Sequence, residues 1–358
     1  MLQIGIVGLP NVGKSTLFNV LSKSSALVAN YPFATIEPNI GIVPVPDERL
    51  SRLADLNNSN KIIPATVKFV DIAGLVAGAS KGEGLGNQFL SHIRSTSVLI
   101  QVVRTFNDNN VTHVKEKVDP KQDIAIINTE LVLADLETIN RRLPIITKEA
   151  KANPKLKTKL NHLEEAFNIL NSNRLLYTNI SEEALETISE LQLITTKPII
   201  YVFNIGEDEL SNTSKQEILR QLVAPHETVF ISAKLESELI ELDDSDASEL
   251  RLSYGILKSG LDELIQLAYQ TLGLQSFITA GEKEVRAWTI PIGTTAPKAA
   301  GVIHGDFERG FIAAEVVNYH DLINLGSMAA CRSSGKLRIE GKDYLVQPDD
   351  VIEFRFNV

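Results

Sequence analysis

The sequence is short of several things, and each shortage narrows what the protein can be. Its 358 residues include one cysteine, Cys331, so no intramolecular disulfide can form, and the composition suits a reducing compartment. No apolar stretch approaches the ~20 residues that a membrane-spanning helix needs. The chain opens directly into a strand-like segment, which leaves no room for a signal peptide. The expectation is a cytoplasmic protein with no membrane partner. Positive charge is also scarce: 35 Lys and Arg stand against 45 Asp and Glu, a formal net charge of −10. That balance argues against broad, non-specific binding of nucleic acid. Repeats and low-complexity segments are absent. A chain this long exceeds the size at which single cores usually divide, so two or three domains are expected.

What is present begins near the N-terminus. Gly8-Leu9-Pro10-Asn11-Val12-Gly13-Lys14-Ser15-Thr16 follows the apolar run Ile4-Gly5-Ile6-Val7 and leads into Leu17-Phe18-Asn19-Val20-Leu21. Strand, glycine loop and helix in that order are the context a Walker A phosphate loop needs. The backbone from Asn11 through Val12, Gly13, Lys14, Ser15 and Thr16 is expected to wrap the phosphates, aided by the positive end of the helix. Lys14 should reach the β- and γ-phosphates and act in catalysis, and Ser15 should coordinate Mg²⁺.

Further signals follow in the order that a GTPase-like domain requires. Thr35 lies in the loop Tyr31-Pro32-Phe33-Ala34-Thr35, where it could complete the Mg²⁺ shell. Asp71 ends the strand-like Val67-Lys68-Phe69-Val70-Asp71 and can hold Mg²⁺ through water, while the Gly74 amide can meet the γ-phosphate. A base-binding loop of this superfamily would read Asn-Lys-x-Asp. That motif is missing, and Asn204-Ile205-Gly206-Glu207 stands in its place. The missing aspartate is the group that accepts two hydrogen bonds from guanine, and losing such a contact weakens discrimination between analogues. With Glu207 for Asp and Ile205 for Lys, the residues point to ATP. Ser232 and Ala233, after the strand-like Thr228-Val229-Phe230-Ile231, should add a backbone amide at the base.

Taken together, these motifs and others resemble a known family. The run from Asp71 through Gly74, Gly78-Ala79-Ser80, Gly82 and Gly84-Leu85-Gly86 is similar to the Obg branch of translation-factor-type GTPases. The Asn-x-x-Glu ending at Glu207, with the tail Thr279-Ala280-Gly281 and Lys283-Glu284-Val285-Arg286-Ala287-Trp288-Thr289, resembles the YchF, or Obg-like ATPase, family within it. The resemblance runs essentially end to end. It implies an α/β fold: a Ras-like P-loop NTPase domain with an inserted helical hairpin and a C-terminal β-grasp (TGS) domain. It also implies ATP hydrolysis in preference to GTP, and association with ribosomes.

Punctuation and periodicity give the expected boundaries. Strands, glycine turns and helices alternate over residues 1–127, the first part of the nucleotide domain. Residues 128–196 read as a helical hairpin. Leu131, Leu133, Leu136, Ile139 and Leu143 mark one helix, Leu160, Leu163, Phe167 and Leu170 the other, and Pro154 falls at the tip. The nucleotide domain resumes over 197–275, and 276–358 forms the TGS domain. Between residues 141 and 159, Arg141, Arg142, Lys148, Lys151, Lys155, Lys157 and Lys159 face a single acid, Glu149. This cluster is either a contact for ribosomal RNA phosphates or a solvated helix end.

The chemistry lacks one more expected group. Ras-like enzymes place a water-orienting glutamine after Asp-x-x-Gly, but here that position is Leu75. Slow intrinsic turnover is expected, with His113 the best candidate to position water or accept its proton. Asn11 is either a K⁺ ligand, supplying charge where an arginine finger would sit, or a residue that stabilises the loop turn. The expected function is a Mg²⁺-dependent ATPase switch. The alternatives are an Obg-type GTPase and a nucleotide-gated binding module with incidental hydrolysis; a small-molecule kinase fits least, for want of an acceptor site.

Overall fold

A computed structural model describes residues 2–26, 39–72, 85–106, 118–256 and 258–357. Contacts divide the chain into two compact units. One comprises Met1–Ile42 with Lys68–Leu264, and the other comprises Val43–Val67 with Ile265–Val358. The strands, in chain order, are β1 (Ile4–Val7), β2 (Ile40–Pro44), β3 (Ile62–Ile63), β4 (Thr66–Asp71), β5 (Val98–Arg104), β6 (Ile199–Asn204), β7 (Thr228–Ile231), β8 (Leu274–Ala280), β9 (Val285–Pro291), β10 (Phe311–Asn318), β11 (Arg338–Glu340) and β12 (Asp350–Phe356).

The first unit is built on a six-stranded sheet in the order β2-β4-β1-β5-β6-β7. β1 pairs in parallel with β4 and β5, and β5, β6 and β7 continue the parallel set. A parallel strand covered on both faces needs an uninterrupted apolar run, and every residue of β1, β5 and β6 is buried. In open parallel sheets ligands bind beyond the carboxyl ends of the strands. That edge is where β1 feeds the glycine loop, β4 ends in Asp71 and β6 ends in Asn204.

Helix α1 (Lys14–Ala26) starts straight from the glycine loop, and α2 (Glu48–Asn57) is capped by Asp47, which accepts from the Arg49 amide. Helix α3 (Leu85–Ser95) precedes β5, and α4 (Pro120–Ala152) follows it at greater length. Its start is set by Asp119, which accepts from the Gln122 amide, and by Pro120 at the first turn, where a missing N–H costs nothing. α4 therefore begins ahead of Asn128, where the fading strand signal places the hairpin. After Ala152, Asn153 and Pro154 break the helix, and α5 (Lys157–Asn171) returns. Ile124, Ile127, Leu131, Ile139 and Ile146 of α4 are buried, as are Leu163, Ala166 and Leu170 of α5. Leu133, read from its spacing as part of the apolar stripe, is instead exposed.

The root of this hairpin is pinned by a polar network. Asp135, fully buried on α4, accepts from the amides of Ile194 and Thr195 and from the Thr195 hydroxyl at 2.7–2.9 Å. Burial raises its pKa against the opposing effect of those bonds and of Arg94. Lys197 donates to the carbonyls of Ile93, Arg94 and Thr96 at the end of α3. Burial brings its pKa down to about 8.

The second unit is a six-stranded sheet in the order β11-β10-β12-β8-β9-β3. Its core packs Phe277, Ile290, Ala299, Ala314, Val316 and Ile352. β3 comes from the N-terminal half of the chain and pairs in parallel with β9, Ile62 opposite Val285 and Ile63 opposite Arg286. Charge inside this unit is neutralised locally. Buried Glu315 accepts from Arg332 and Arg355, and buried Asp350 accepts from the Tyr344 hydroxyl, Arg338 and the Gln347 amide. Burial, followed by the bond to Asp350, pushes the Tyr344 pKa up to about 12.

Candidate nucleotide-binding site

The glycine loop has the backbone its sequence demands. Asn11 has φ 61° and Gly13 φ 100°. Asparagine tolerates the left-handed region, whereas the wider value suits glycine alone. Space imposes the same choice: a Cβ on Gly13 would lie 2.4 Å from Asn204 Nδ2, and one on Gly8 would lie 2.8 Å from the Val102 carbonyl. Val12 is buried beneath the loop, while Ser15 and Thr16 are exposed on the first turn of α1. The Leu17 amide of that turn donates to the Gly13 carbonyl at 2.9 Å, and the amides before it are the ones that a helix start offers to an anion.

Lys14 is only 8% exposed and donates to the Leu9 carbonyl at 3.3 Å. Burial lowers its pKa, and the negative charge of Asp71 works in the opposite direction. Asp71 is the mirror case: burial raises its pKa, with Lys14 opposing. Its Oδ1 is buried with no hydrogen-bond partner among the described residues. Leaving a buried carboxylate oxygen unmatched costs on the order of 1–3 kcal/mol, and an arriving cation would remove that cost. An Asp carboxylate and a Ser hydroxyl are hard oxygen donors of the kind Mg²⁺ takes, with water and phosphate oxygens filling the other positions. The described residues include no group of three or more His, Cys, Asp or Glu that could cage a metal alone.

At the base end, Asn204 works as a clamp. Its Nδ2 donates to the Val12 carbonyl at 2.9 Å, and its Oδ1 accepts from the Ala233 amide at 3.0 Å. One buried side chain thus fixes the phosphate loop to the Ser232-Ala233 turn. The Asn204 carbonyl also accepts from the amide and hydroxyl of Thr105. Ser232 caps the helix Ala233–Leu239 by accepting from the Leu235 amide. Ile205 is buried, and its amide bonds the Ile231 carbonyl, continuing the β6–β7 ladder by one step.

Glu207 opens a short 3₁₀ turn, Glu207–Glu209. Lys234 Nζ lies 3.1 Å from its Oε1 in an ion pair. The partnership of Lys234 with Glu207 was not legible in the sequence, nor was that of Lys215, which pairs with Glu209 at 2.6 Å and donates to the Thr105 carbonyl. Lys234 meets Glu207 because β6 and β7 are neighbours, whereas Lys215 lies six residues beyond Glu209 and folds back from the first turn of the next helix. Thr35, Gly74 and His113, together with Leu75, lie outside the described residues. The structure therefore brings together Asn11, Val12, Gly13, Lys14, Ser15, Thr16 and Asp71 around the glycine loop. Asn204, Ile205, Glu207, Ser232 and Ala233 gather at the ends of β6 and β7.

Known proteins resemble the chain over its whole length. Residues 3–134 match a family model described as a 50S ribosome-binding GTPase, and residues 274–357 match the YchF-GTPase C-terminal model, described as a protein of unknown function. The chain is 50% identical to the ribosome-binding ATPase YchF of Bacillus subtilis, with 100% of both chains covered. It is 49% identical to the protein of that name from Haemophilus influenzae, with 99% of each covered. Among solved structures, the YchF GTPase of Schizosaccharomyces pombe superposes with a TM-score of 0.87 at 37% identity, covering 99% of this chain and 97% of the other.

Proposed function

The chain belongs to the YchF family, and from that premise we propose that it is a Mg²⁺-dependent P-loop ATPase that acts as a switch on ribosomes. The observation that carries the nucleotide preference is the base end of the site. A glutamate, not an aspartate, follows the Asn204 clamp, and Lys234 already lies against its carboxylate. An acid one methylene longer than aspartate is a poor bidentate partner for guanine, which removes the penalty against adenine. The B. subtilis and H. influenzae relatives are named ATPases, whereas the S. pombe structure is named a GTPase. A tighter complex with GTP than with ATP would overturn the reading.

Within the site the roles divide by position. The amides of the loop and of the first turn of α1 hold the phosphates, and Lys14 carries its charge to the β–γ bridge, where negative charge develops during phosphoryl transfer. Ser15, Asp71 through water and Thr35 are the residues that would hold Mg²⁺, which when bound neutralises the phosphate oxygens. The Gly74 amide is assigned to the γ-phosphate and His113 to the attacking water. Replacing His113 by alanine should lower kcat tenfold or more with nucleotide affinity kept, and an unchanged kcat would remove it from the chemistry. At Asn11 the left-handed backbone favours the turn-forming role over K⁺ binding. K⁺ stimulation that disappears in Asn11→Ala, with nucleotide affinity kept, would restore the ion.

Ribosome association is supported by the names of the relatives and by the tip of the α4–α5 hairpin. Of its seven basic residues, Arg141 pairs with Glu137, and Arg142 and Lys159 pair with Glu190. Lys148, Lys151, Lys155 and Lys157 are exposed and have no ion-pair partner among the described residues. Four unpaired cations at a helical turn suit the phosphates of ribosomal RNA, with affinity that falls steeply with salt. Reversing Lys151, Lys155 and Lys157 to glutamate should abolish co-sedimentation with ribosomes while leaving ATP affinity intact. Unchanged sedimentation would remove the tip from the interface. Ribosomes should also accelerate ATP turnover, and turnover indifferent to them would favour a binding module with incidental hydrolysis.

A further inference from the structure

The second unit contains a break in its own sheet. β8 and β12 share a single register pair, Val351 opposite Ile278. Beyond it β8 continues through Thr279 and Ala280 into the Gly281 turn, paired only with β9, and β12 continues through Ile352 to Phe356, paired only with β10. A cleft of about 650 Å³ opens between the two strands, within the ~300–1,000 Å³ range of ligand sites. Trp288, Ile303, Phe307 and Phe354, which pack against the core, line it together with Leu322 and Met328 of two short helices, Tyr319–Leu325 and Met328–Ser333.

Three features say what would fill it. First, its walls are strand edges whose register partners are missing on the side of the split, so peptide N–H and C=O groups face an extended occupant. Second, its lining is aromatic and aliphatic, and it is already ordered: Phe307 stacks on Phe356 at 3.8 Å, and Trp288 Nε1 donates to the Thr279 hydroxyl at 2.9 Å. Third, its charged lining is mainly acidic, with Glu282, Glu284 and Glu353 against Lys283. Lys61 lies 3.9 Å from Glu284 and offsets part of that charge. Arg286 lies over the Trp288 ring at 3.7 Å, so the uncompensated negative charge is confined to Glu282 and Glu353.

We propose that this split is a docking site for an extended segment of a partner protein, in which aliphatic side chains alternate with lysine or arginine and whose backbone adds a strand between β8 and β12. The aliphatic side chains enter over Trp288 and Phe307, and the alternate cations reach Glu282 and Glu353.

The test uses the full chain and a fluorescent eight-residue peptide of alternating leucine and lysine, followed by anisotropy. The expected result is saturable binding that weakens at least tenfold in Glu353→Lys. It should weaken to a similar degree when alternate peptide nitrogens on the strand-facing side are methylated. A leucine–glutamate peptide should not bind, and a glycine–lysine peptide should bind at least tenfold more weakly. Circular dichroism and ATP affinity, both unchanged in Glu353→Lys, keep a folding defect apart from a lost contact. No binding, preference for the acidic peptide, equal binding of the glycine–lysine control or indifference to N-methylation would each overturn the proposal. So would preferential binding of a single-stranded oligonucleotide that Glu353→Lys alters in parallel.

Discussion

Asp71 in the first unit and Glu315 in the second are both shielded carboxylates, and they are handled in opposite ways. Glu315 is 2% exposed and sits between Arg332 and Arg355, with both of its oxygens matched. Asp71 has a buried oxygen with no partner, and its pKa is raised by burial although Lys14 is near. One carboxylate is matched by the fold, and the other has an oxygen unmatched among the described residues, as the proposed Mg²⁺ role requires. The same contrast extends outward. In the second unit Asp350 has three donors, whereas in the first the left-handed Asn11 and Gly13 and the lightly held Glu207 collect at one edge of the sheet. Unmatched charge and backbone strain concentrate at functional sites because the cost is recovered on binding.

The largest expected effect breaks the first half of the comparison. Asp71→Asn should reduce Mg²⁺-dependent ATP turnover about 10²-fold or more, on the scale of losing one charge-stabilising group. The free protein should nonetheless unfold at the same or a higher urea concentration, because an unmatched buried charge has gone. A clear loss of stability would mean that Asp71 serves the fold. Its pH behaviour follows from the raised pKa. The unfolded chain releases the Asp71 proton first, so the free protein loses stability as pH rises from the ordinary carboxylate value through the raised one. Asp71→Asn should flatten that slope. Conversely, Mg²⁺-nucleotide affinity should fall on acidification before an ordinary carboxylate would protonate.

Next in size is the clamp. Asn204→Ala deletes two buried hydrogen bonds and leaves the Ala233 amide unmatched, at about 1–3 kcal/mol in all. ATP affinity measured by calorimetry should drop roughly 10- to 100-fold, because the phosphate loop and the base turn would no longer be held in register. Normal affinity would deny that coupling. Glu315→Gln tests the other half of the comparison: urea titration should show a loss of about 1–3 kcal/mol, with ATP affinity untouched. The cost is held down because Arg332 and Arg355 are more than half exposed and can return to water. The smallest change belongs to Lys234→Ala. Its Nζ is largely exposed, so the ratio of ATP to GTP affinity should move less than about fivefold.

The local backbone of the candidate site was legible because its residues are bound to local pattern. A glycine loop between strand and helix, an acid at a strand end and an Asn-x-x-Glu each state their position through neighbours in the chain. The hairpin was legible in its period and in Pro154, but its start was not, since the Asp119-Pro120 cap lies inside the stretch read as alternating strand and helix. The placement of residues 43–67 with the C-terminal sheet was not announced at all. It rests on β3, a two-residue strand whose partner β9 lies more than two hundred positions away, and such a pairing leaves no period to read. Lys234 escaped for the same reason, because an ion pair formed across the ends of neighbouring strands has no sequence spacing.

The central claim is that the base end, with Glu207 where guanine-binding loops carry aspartate, selects adenine. Calorimetry of ATP and GTP binding to the wild-type chain and to Glu207→Asp, in Mg²⁺, tests it most directly. The account predicts that wild type binds ATP more tightly and that the shorter acid moves the preference toward GTP by about tenfold or more. Tighter binding of GTP by the wild type, or a preference that Glu207→Asp leaves in place, would contradict it.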